Sequence, residues 1–327
     1  MDRRQFLLIS LVGAVATPLG AEGPALGKAA RVGVLSAGPS TPLPDYLIAF
    51  RQALRERGWI EGQNLTLDVL YAENRYDRLP VLARELIVRN PDVIFAVASP
   101  AIRALTRATT TLPIVIETLG DAVSAGLVGD IARPGSNVTG VSGFAPELST
   151  KRLQLIREIL PKADAVAVLA NLSNPTTPPV VHATEAAGRQ LGIQAHVVDV
   201  RAARDVAAAF STMVRQHADA IVVVSDPMLN SQTREIVELA ARHRLPAVYE
   251  QRSFPEVGGL MSYGPGRLER FQRAAVYVDR ILRGAKPGEL PVERPTNFEL
   301  VVNRAAAKGL GLTVPPSVLL RADAVLD

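Results

Sequence analysis

The chain has no cysteine among its 327 residues. That absence excludes a disulfide, a thiol nucleophile, a thiolate metal ligand and the acylated cysteine of a lipoprotein. Histidine is sparse as well: His182, His196, His217 and His243 are scattered, with no pair at ligand spacing, so no metal site is expected. Phosphate-cradling loops are missing. Gly23-Pro-Ala-Leu-Gly27-Lys28-Ala29 is one residue short of a P-loop, lacks Ser or Thr after the lysine and precedes the first strand. No Gly-x-Gly-x-x-Gly follows that strand, and Gly140-Val141-Ser142-Gly143 lacks the last glycine of a nucleophile elbow. No catalytic residue and no cofactor is therefore expected, which argues against an enzyme. Basic residues exceed acidic ones only by 36 to 32 and form no cluster interleaved with aromatics, so no nucleic-acid footprint is present.

A long apolar run is also lacking. Phe6 to Ala16 follows Arg3-Arg4 and precedes small residues and Pro18; a membrane span needs roughly twenty apolar residues. A basic start, a short apolar stretch and small residues read as an export signal, and the paired arginines fit the twin-arginine type. Cleavage after Ala16 and after Ala21 are both compatible with the pattern. The expectation is a soluble periplasmic protein, with residues 1–30 as signal and linker.

What the chain does have is a repeated alternation of apolar strands with amphipathic helices. Arg31-Val-Gly-Val-Leu-Ser36 is a strand; helix one, Pro44 to Arg57, carries Leu47, Phe50 and Leu54 on one stripe and stops at Gly58. Strands follow at Leu65–Tyr71, Asp92–Ser99 and Ile114–Ile116. Asp121 then caps a helix expected from Ala122 to Arg133, and Val138–Val141 is a further strand. After residue 144 the pattern restarts, with strands at 165–171, 193–200, 220–226, 246–250 and 298–303. Short connections between strands and helices imply an α/β fold of parallel sheets covered on both faces. Two successive sets imply two similar doubly wound lobes, and three crossings are expected: near 144–149, between 249 and 262, and in the proline-rich 287–295. The lobes would be 31–145 plus about 252–290, and 146–251 plus about 296–327.

Ligands of such sheets sit beyond the strands' carboxyl ends. The polar residues there are Ser36, Ser99, Thr118, Asp121, Asn171, Asn174, Asp226 and Glu250, with Tyr249 and Tyr263 near the second crossing. Taken as a set at the edges of both lobes, they point to a ligand cleft.

In order along the chain stand RVGVLSAG, FRQALRERGWIEGQN, RLPVLARELI, PDVIFAVASPA, GLVGDIARPGSNVTGVS, KRLQLIREILP, GGLMSYGP, RAAVYVDRILRGAKPGELPVERPTNFELVVN and GLGLTVPP. With these motifs the chain, over about 31–327, resembles the ABC-transporter substrate-binding proteins of the type I periplasmic fold, in the group of tryptophan- and tyrosine-uptake binding proteins. The resemblance implies an extracytoplasmic protein that closes two lobes on a small organic solute and delivers it to an ABC permease of the inner membrane, aromatic amino acids being the favoured ligands. Ser36, Ser99, Asp121, Asn174, Asp226 and Tyr263 carry over as matching positions. For an amino acid, Asp121 or Asp226 would meet the ammonium, N–H groups near Ser99 the carboxylate, and Tyr249 or Tyr263 the side chain. Ala122 stands where the family usually has proline after the aspartate. An exported sensor presenting its state to a membrane receptor uses the same fold and stays an alternative.

Overall fold

The computed structural model describes residues 29–41, 45–143 and 146–327. The expected export signal lies outside the described residues, as does its linker except for residues 29 and 30. Among the described residues, no helix is long and apolar enough to cross a membrane.

The first sheet has five parallel strands in the order β2-β1-β3-β4-β5: β1 Ala30–Ser36, β2 Leu65–Tyr71, β3 Val93–Val97, β4 Ile114–Thr118 and β5 Val138–Ser142. β3 and β4 are buried along their whole length, as strands covered on both faces must be, and this is why they read as largely apolar up to Glu117 and Thr118 at the end of β4. On one face α2 (Leu79–Val88) and α3 (Ser99–Ala108) pack through Leu82, Leu86, Ile102 and Leu105. On the other face lie α1 (Asp45–Glu56) and a helix from late in the chain, α10 (Arg267–Leu282), meeting through Leu47, Phe50, Phe271 and Val278.

The second sheet has seven strands in the order β12-β11-β10-β9-β8-β6-β7. These are β6 Ala165–Ala170, β7 Gln194–Asp199, β8 Ala220–Val223, β9 Ala247–Tyr249, β10 Met261–Pro265, β11 Phe298–Asn303 and β12 Ala324–Leu326. Its helices are α4 Pro146–Ile159, α5 Thr177–Leu191, α6 Val206–Arg215, α7 Pro227–Ser231, α8 Thr233–Arg242, α9 Ser253–Glu256, α11 Arg304–Gly309 and α12 Pro316–Leu319.

The expected α/β fold of two lobes with parallel-strand sheets holds, but its details differ. The lobes are unequal, and one pair, β10 with β11, is antiparallel, because β11 arrives from a crossing and not through a βα unit. The segment 253–265 belongs to the second sheet, since β10 pairs with β9 and β11. The second crossing therefore lies at Pro265–Arg267, and α10 with the stretch after it as far as Glu293 returns to the first lobe. The tail beyond Pro315-Pro316 forms α12 and edge strand β12, paired with β11.

The helix expected over Ala122–Arg133 is a series of turns. Asp121 does cap it, accepting the Val123 N–H at 2.9 Å. The chain then tightens, however, as Leu127 and Val128 both donate to the Ala122 carbonyl and Gly126 takes φ +66. Beside these turns Glu293, inside the expected third crossing 287–295, still runs along β5, so the chain leaves the first lobe only after it: its N–H donates to the Gly140 carbonyl and its carbonyl accepts from Ser142. Gly140 itself, at φ +135, lies so close to Ile116 that a Cβ there would fall 2.3 Å from its carbonyl oxygen; only glycine lets β5 and β4 meet in this way.

Candidate ligand-binding cleft

Both sheets reverse strand order, between β1 and β3 in the first and between β6 and β8 in the second. Open α/β sheets leave a crevice at such switch points, and here the two crevices face each other. They enclose a cleft of about 680 Å³. Ser36, Ser99, Thr118, Asn174 and Asp226 line it, as their places at strand ends anticipate.

These five side chains are, however, largely committed to one another. Thr118 and Ser99 hydroxyls lie 2.6 Å apart, and Ser99 reaches Thr176 of the other lobe at 2.8 Å. Thr176 donates to the Asn174 amide oxygen at 3.1 Å, and the Asn174 amide nitrogen donates to Asp226 at 3.0 Å. The Tyr76 hydroxyl, back in the first lobe, donates to Asp226 at 2.7 Å. One chain of hydrogen bonds thus crosses between the lobes twice, with Asn174 and Tyr76 both donating to Asp226. Asp226 is 1% exposed and also accepts from Asn171, Met228 N–H and Leu229 N–H. Burial pushes its carboxyl up, and these donors pull it back toward the ionised form. Tyr76 is likewise raised, by burial and then by the Asp226 charge. With both carboxylate oxygens occupied, Asp226 has no place left for a ligand ammonium. The bonds it makes instead join the two lobes, through Tyr76 of the first. Ser36 is also engaged, with Tyr46 at 3.4 Å and the Gly38 N–H at 3.2 Å.

Five expected residues do not line the cleft. Asp121 caps the turn described above and pairs with Arg294 at 3.6 Å, beside the third crossing. Tyr249 is 0% exposed in the second lobe's core, stacked on Phe254 with ring centroids 4.3 Å apart, because strand alternation in β9 turns it inward. Tyr263 offers its carbonyl to Arg152 at 3.0 Å, and its ring leans on Phe298. Glu250 is the buried ionic partner of the same Arg152, at 2.8 Å, and Asn171 serves Asp226 from behind.

The cleft's own wall comes from residues not singled out in the sequence. Arg267 lies 4.5 Å over the Tyr46 ring, and Tyr46 stacks on Phe271 at 4.5 Å with the planes 26° apart. Phe271 then meets Phe95 edge-on, so the aromatic wall is anchored in the first lobe's core. Arg270, one turn further along α10, is ion-paired with Glu117 on the cleft floor; both are buried. Burial pulls the Arg270 guanidinium down, and the carboxylate beside it is what lets it stay charged. Arg267 is the less committed cation: among the described residues its hydrogen-bond partner is the Gln251 amide oxygen, at 3.4 Å. Two cleft-lining amide oxygens on opposite lobes, Asn74 Oδ1 and Asn230 Oδ1, are buried without a donor. α3 also opens onto the cleft, and Ala98 just before it takes φ +71, a strained value for a residue with a Cβ and one typical of binding sites. A signal was available: Arg267 and Arg270 are one helical turn apart directly after a crossing. Among the described residues no group of three His, Asp or Glu is arranged to hold a metal.

Comparison with known proteins decides what kind of cleft this is. Residues 44–326 match the family described as ABC transporter substrate binding protein. The chain belongs to that family. This substrate-binding protein is 24% identical over 263 residues to the "Tyrosine-binding protein" of Clostridioides difficile (strain R20291), covering 80% of this chain and 75% of that one. Among solved structures it resembles a conserved domain protein of Vibrio cholerae (TM-score 0.84, 30% identity, 91% of this chain and 100% of that one). A Streptococcus pneumonia ABC domain in complex with L-Trp superposes with a TM-score of 0.85 at 26% identity, covering 91% and 99%. A ligand-free, open substrate-binding protein with adhesive properties from Clostridium difficile gives 0.64 at 24% identity, covering 91% and 99%. Family membership makes the protein a binder of small ligands for an ABC system and not an enzyme.

Proposed function

We propose that this protein captures an aromatic amino acid between its lobes and delivers it to a membrane permease for import. The observation that carries the reading is the stack of Arg267 on Tyr46 and Phe271, because it joins a cation with spare donors to a flat apolar wall. Arg267 takes the carboxylate, whose bidentate geometry suits a guanidinium. The amide oxygens of Asn74 and Asn230 accept from the ammonium once ligand occupies the cleft. Tyr46 and Phe271 supply the face on which an aromatic side chain stacks. Relatives named for tyrosine and for L-Trp support the same ligand class. Binding draws the lobes together because the cross-lobe hydrogen bonds form only in the closed state, so ligand and closure favour each other.

Thermal-shift screening of the amino acids, followed by calorimetry, tests this. Saturable binding of an aromatic amino acid is expected, with Arg267→Ala weakening it about 30-fold or more, the value of a charge-assisted hydrogen bond of about 2 kcal/mol. The corresponding amino-acid amide, lacking the carboxylate, should bind wild type as weakly as the acid binds the variant. Absence of binding by every aromatic amino acid, or full affinity in Arg267→Ala, overturns the reading.

A further inference from the structure

An asparagine amide carries an acceptor at one end and donors at the other, and a half-turn of the group exchanges them. Whatever holds Asn74 with its oxygen unpaired beside the cleft therefore decides what the cleft can accept. The backbone is pinned first. Glu73 and Asn74 form a left-handed turn after β2, with φ +54 and +59. Their N–H groups donate to the carbonyls of Gly38 at 3.2 Å and Ala37 at 3.0 Å. Asparagine is one of the few residues with a Cβ that adopt this conformation readily. With the main chain held, only the side-chain amide is free to turn.

That turn is blocked from the other lobe. Asn74 Nδ2 donates to Ser231 Oγ, at the end of α7, at 3.0 Å. Ser231 Oγ also lies 2.6 Å from the Met228 carbonyl, which can only accept, so the single hydroxyl proton points there. Its lone pairs are left for Asn74 Nδ2 and for Gln232 Nε2, at 3.0 Å. A hydroxyl with its proton already placed cannot donate to an amide oxygen. Ser231 thus admits only the donor end of Asn74 and leaves Oδ1 buried without a partner. Asn230 keeps the same polarity, with Nδ2 donating to Ser225 Oγ at 3.0 Å and Oδ1 unpaired. From the pinned backbone and the committed hydroxyl, we infer that Ser231 is a positioning residue that makes the closed cleft select for a ligand's amino group. The inference rests on the aromatic amino-acid reading above. A des-amino acid of the same shape brings no donor and strands both amide oxygens, which are costly to leave unmet. Because Asn74 and Ser231 belong to different lobes, this polarity is imposed at closure.

The experiment is calorimetry on the full mature protein with L-phenylalanine, L-tyrosine and L-tryptophan, each against the propanoate that lacks only its amino group. The readout is the ratio of the two affinities within a pair. Wild type should prefer the amino acid about 100-fold or more, as a site built to meet a polar group rejects the analogue without it. Ser231→Ala should cut that preference about tenfold, because the Asn74 amide can then turn its donors inward. Loss of a cross-lobe bond alone would weaken both members of a pair equally and leave the ratio unchanged. Ser231→Thr keeps the hydroxyl and should keep the preference. Asn74→Asp offers an acceptor whichever way it turns, so adding Ser231→Ala to it should leave the ratio where Asn74→Asp alone sets it. An unchanged ratio in Ser231→Ala, or an equal fall when it is added to Asn74→Asp, overturns the inference. Equal binding of both members of a pair by wild type overturns it as well, while leaving the aromatic stack in place. Binding of no member of any pair overturns the importer reading, and the inference falls with it.

Discussion

The Tyr76 hydroxyl donates to the Asp226 carboxylate at 2.7 Å across the divide between the lobes, although 150 residues separate them. Asp226 is held from its own side by two asparagine amides and two main-chain N–H groups. The carboxylate is thus a preformed socket on the second lobe, and in the proposed closure Tyr76 is the part that arrives. The asymmetry gives a sharp expectation for substitution.

Tyr76→Phe removes the arriving donor and leaves the socket satisfied. Fold stability should stay near wild type, whereas closure loses a hydrogen bond to a charged group, about 1.5–3 kcal/mol. Ligand affinity should fall at least about tenfold, and small-angle scattering should report a more open protein. Asp226→Ala should behave differently, because it strands several buried donors: its unfolding temperature should drop as well.

Gly120 supports a second test of closure. A Cβ there would lie 2.2 Å from Thr176 Cβ, on the opposing lobe. Gly120→Ala therefore wedges the lobes apart without disturbing either core. Its melting temperature in the absence of ligand should match wild type, while calorimetry should show affinity reduced by an order of magnitude or more. Thr176→Gly in the same chain should restore part of it. Unaltered affinity in Gly120→Ala would show that the described lobe arrangement is not the one that binds.

Much of this architecture is legible in the sequence for a simple reason. Strands such as Val93–Val97 and Ile114–Thr118 are buried on both faces, so nothing but Val, Ile, Phe and Ala suits most of their length. Ser36, Ser99, Asn174 and Asp226 are legible as cleft residues because parallel strands deliver their last residues to one edge. Tyr249 misleads because a position near a strand end does not tell which face the side chain takes. Tyr46 is hidden in the stripe of α1, where it reads as one more core residue beside Leu47 and Phe50. Arg267 and Arg270 are hidden by the crossing: placing it before Met261 puts the start of α10 far from the cleft, whereas the actual crossing at Pro265–Arg267 sets Arg267 on its wall and Arg270 on its floor.

The buried Arg270–Glu117 pair on the cleft floor should show the unequal costs of losing one charge and losing both. Glu117→Gln leaves a buried guanidinium without a counter-charge and should cost about 3–5 kcal/mol of stability by denaturant unfolding. Glu117→Leu together with Arg270→Met removes both charges. That double variant should recover most of the loss, because the pair's own desolvation penalty disappears with it.

Glu293, which runs beside β5 ahead of the third crossing, supplies the pH dependence. Its hydrogen bonds from Arg273 hold its carboxyl below the usual 4.5. A carboxyl lowered in the folded state contributes stability above its unfolded pKa and loses it as pH falls through the folded one. Melting temperature should therefore decline on acidification below about pH 5, and less steeply in Glu293→Gln, in which that position no longer titrates. Identical slopes for the two proteins would remove Glu293 from the account.

Tyr249 carries the last test, because its hydroxyl is buried with no hydrogen-bond partner and burial raises its pKa. A ligand-binding tyrosine would lose affinity on conversion to phenylalanine. A core tyrosine with a stranded hydroxyl should instead gain stability, since an unsatisfied buried polar group costs about 1–3 kcal/mol. Tyr249→Phe preserves the ring stacked on Phe254 and creates no cavity, so the gain is not offset by lost packing. The variant should melt higher than wild type and bind the amino acid with unchanged affinity. A fall in affinity would return Tyr249 to the cleft wall, and a fall in melting temperature would mean that the hydroxyl is satisfied in solution.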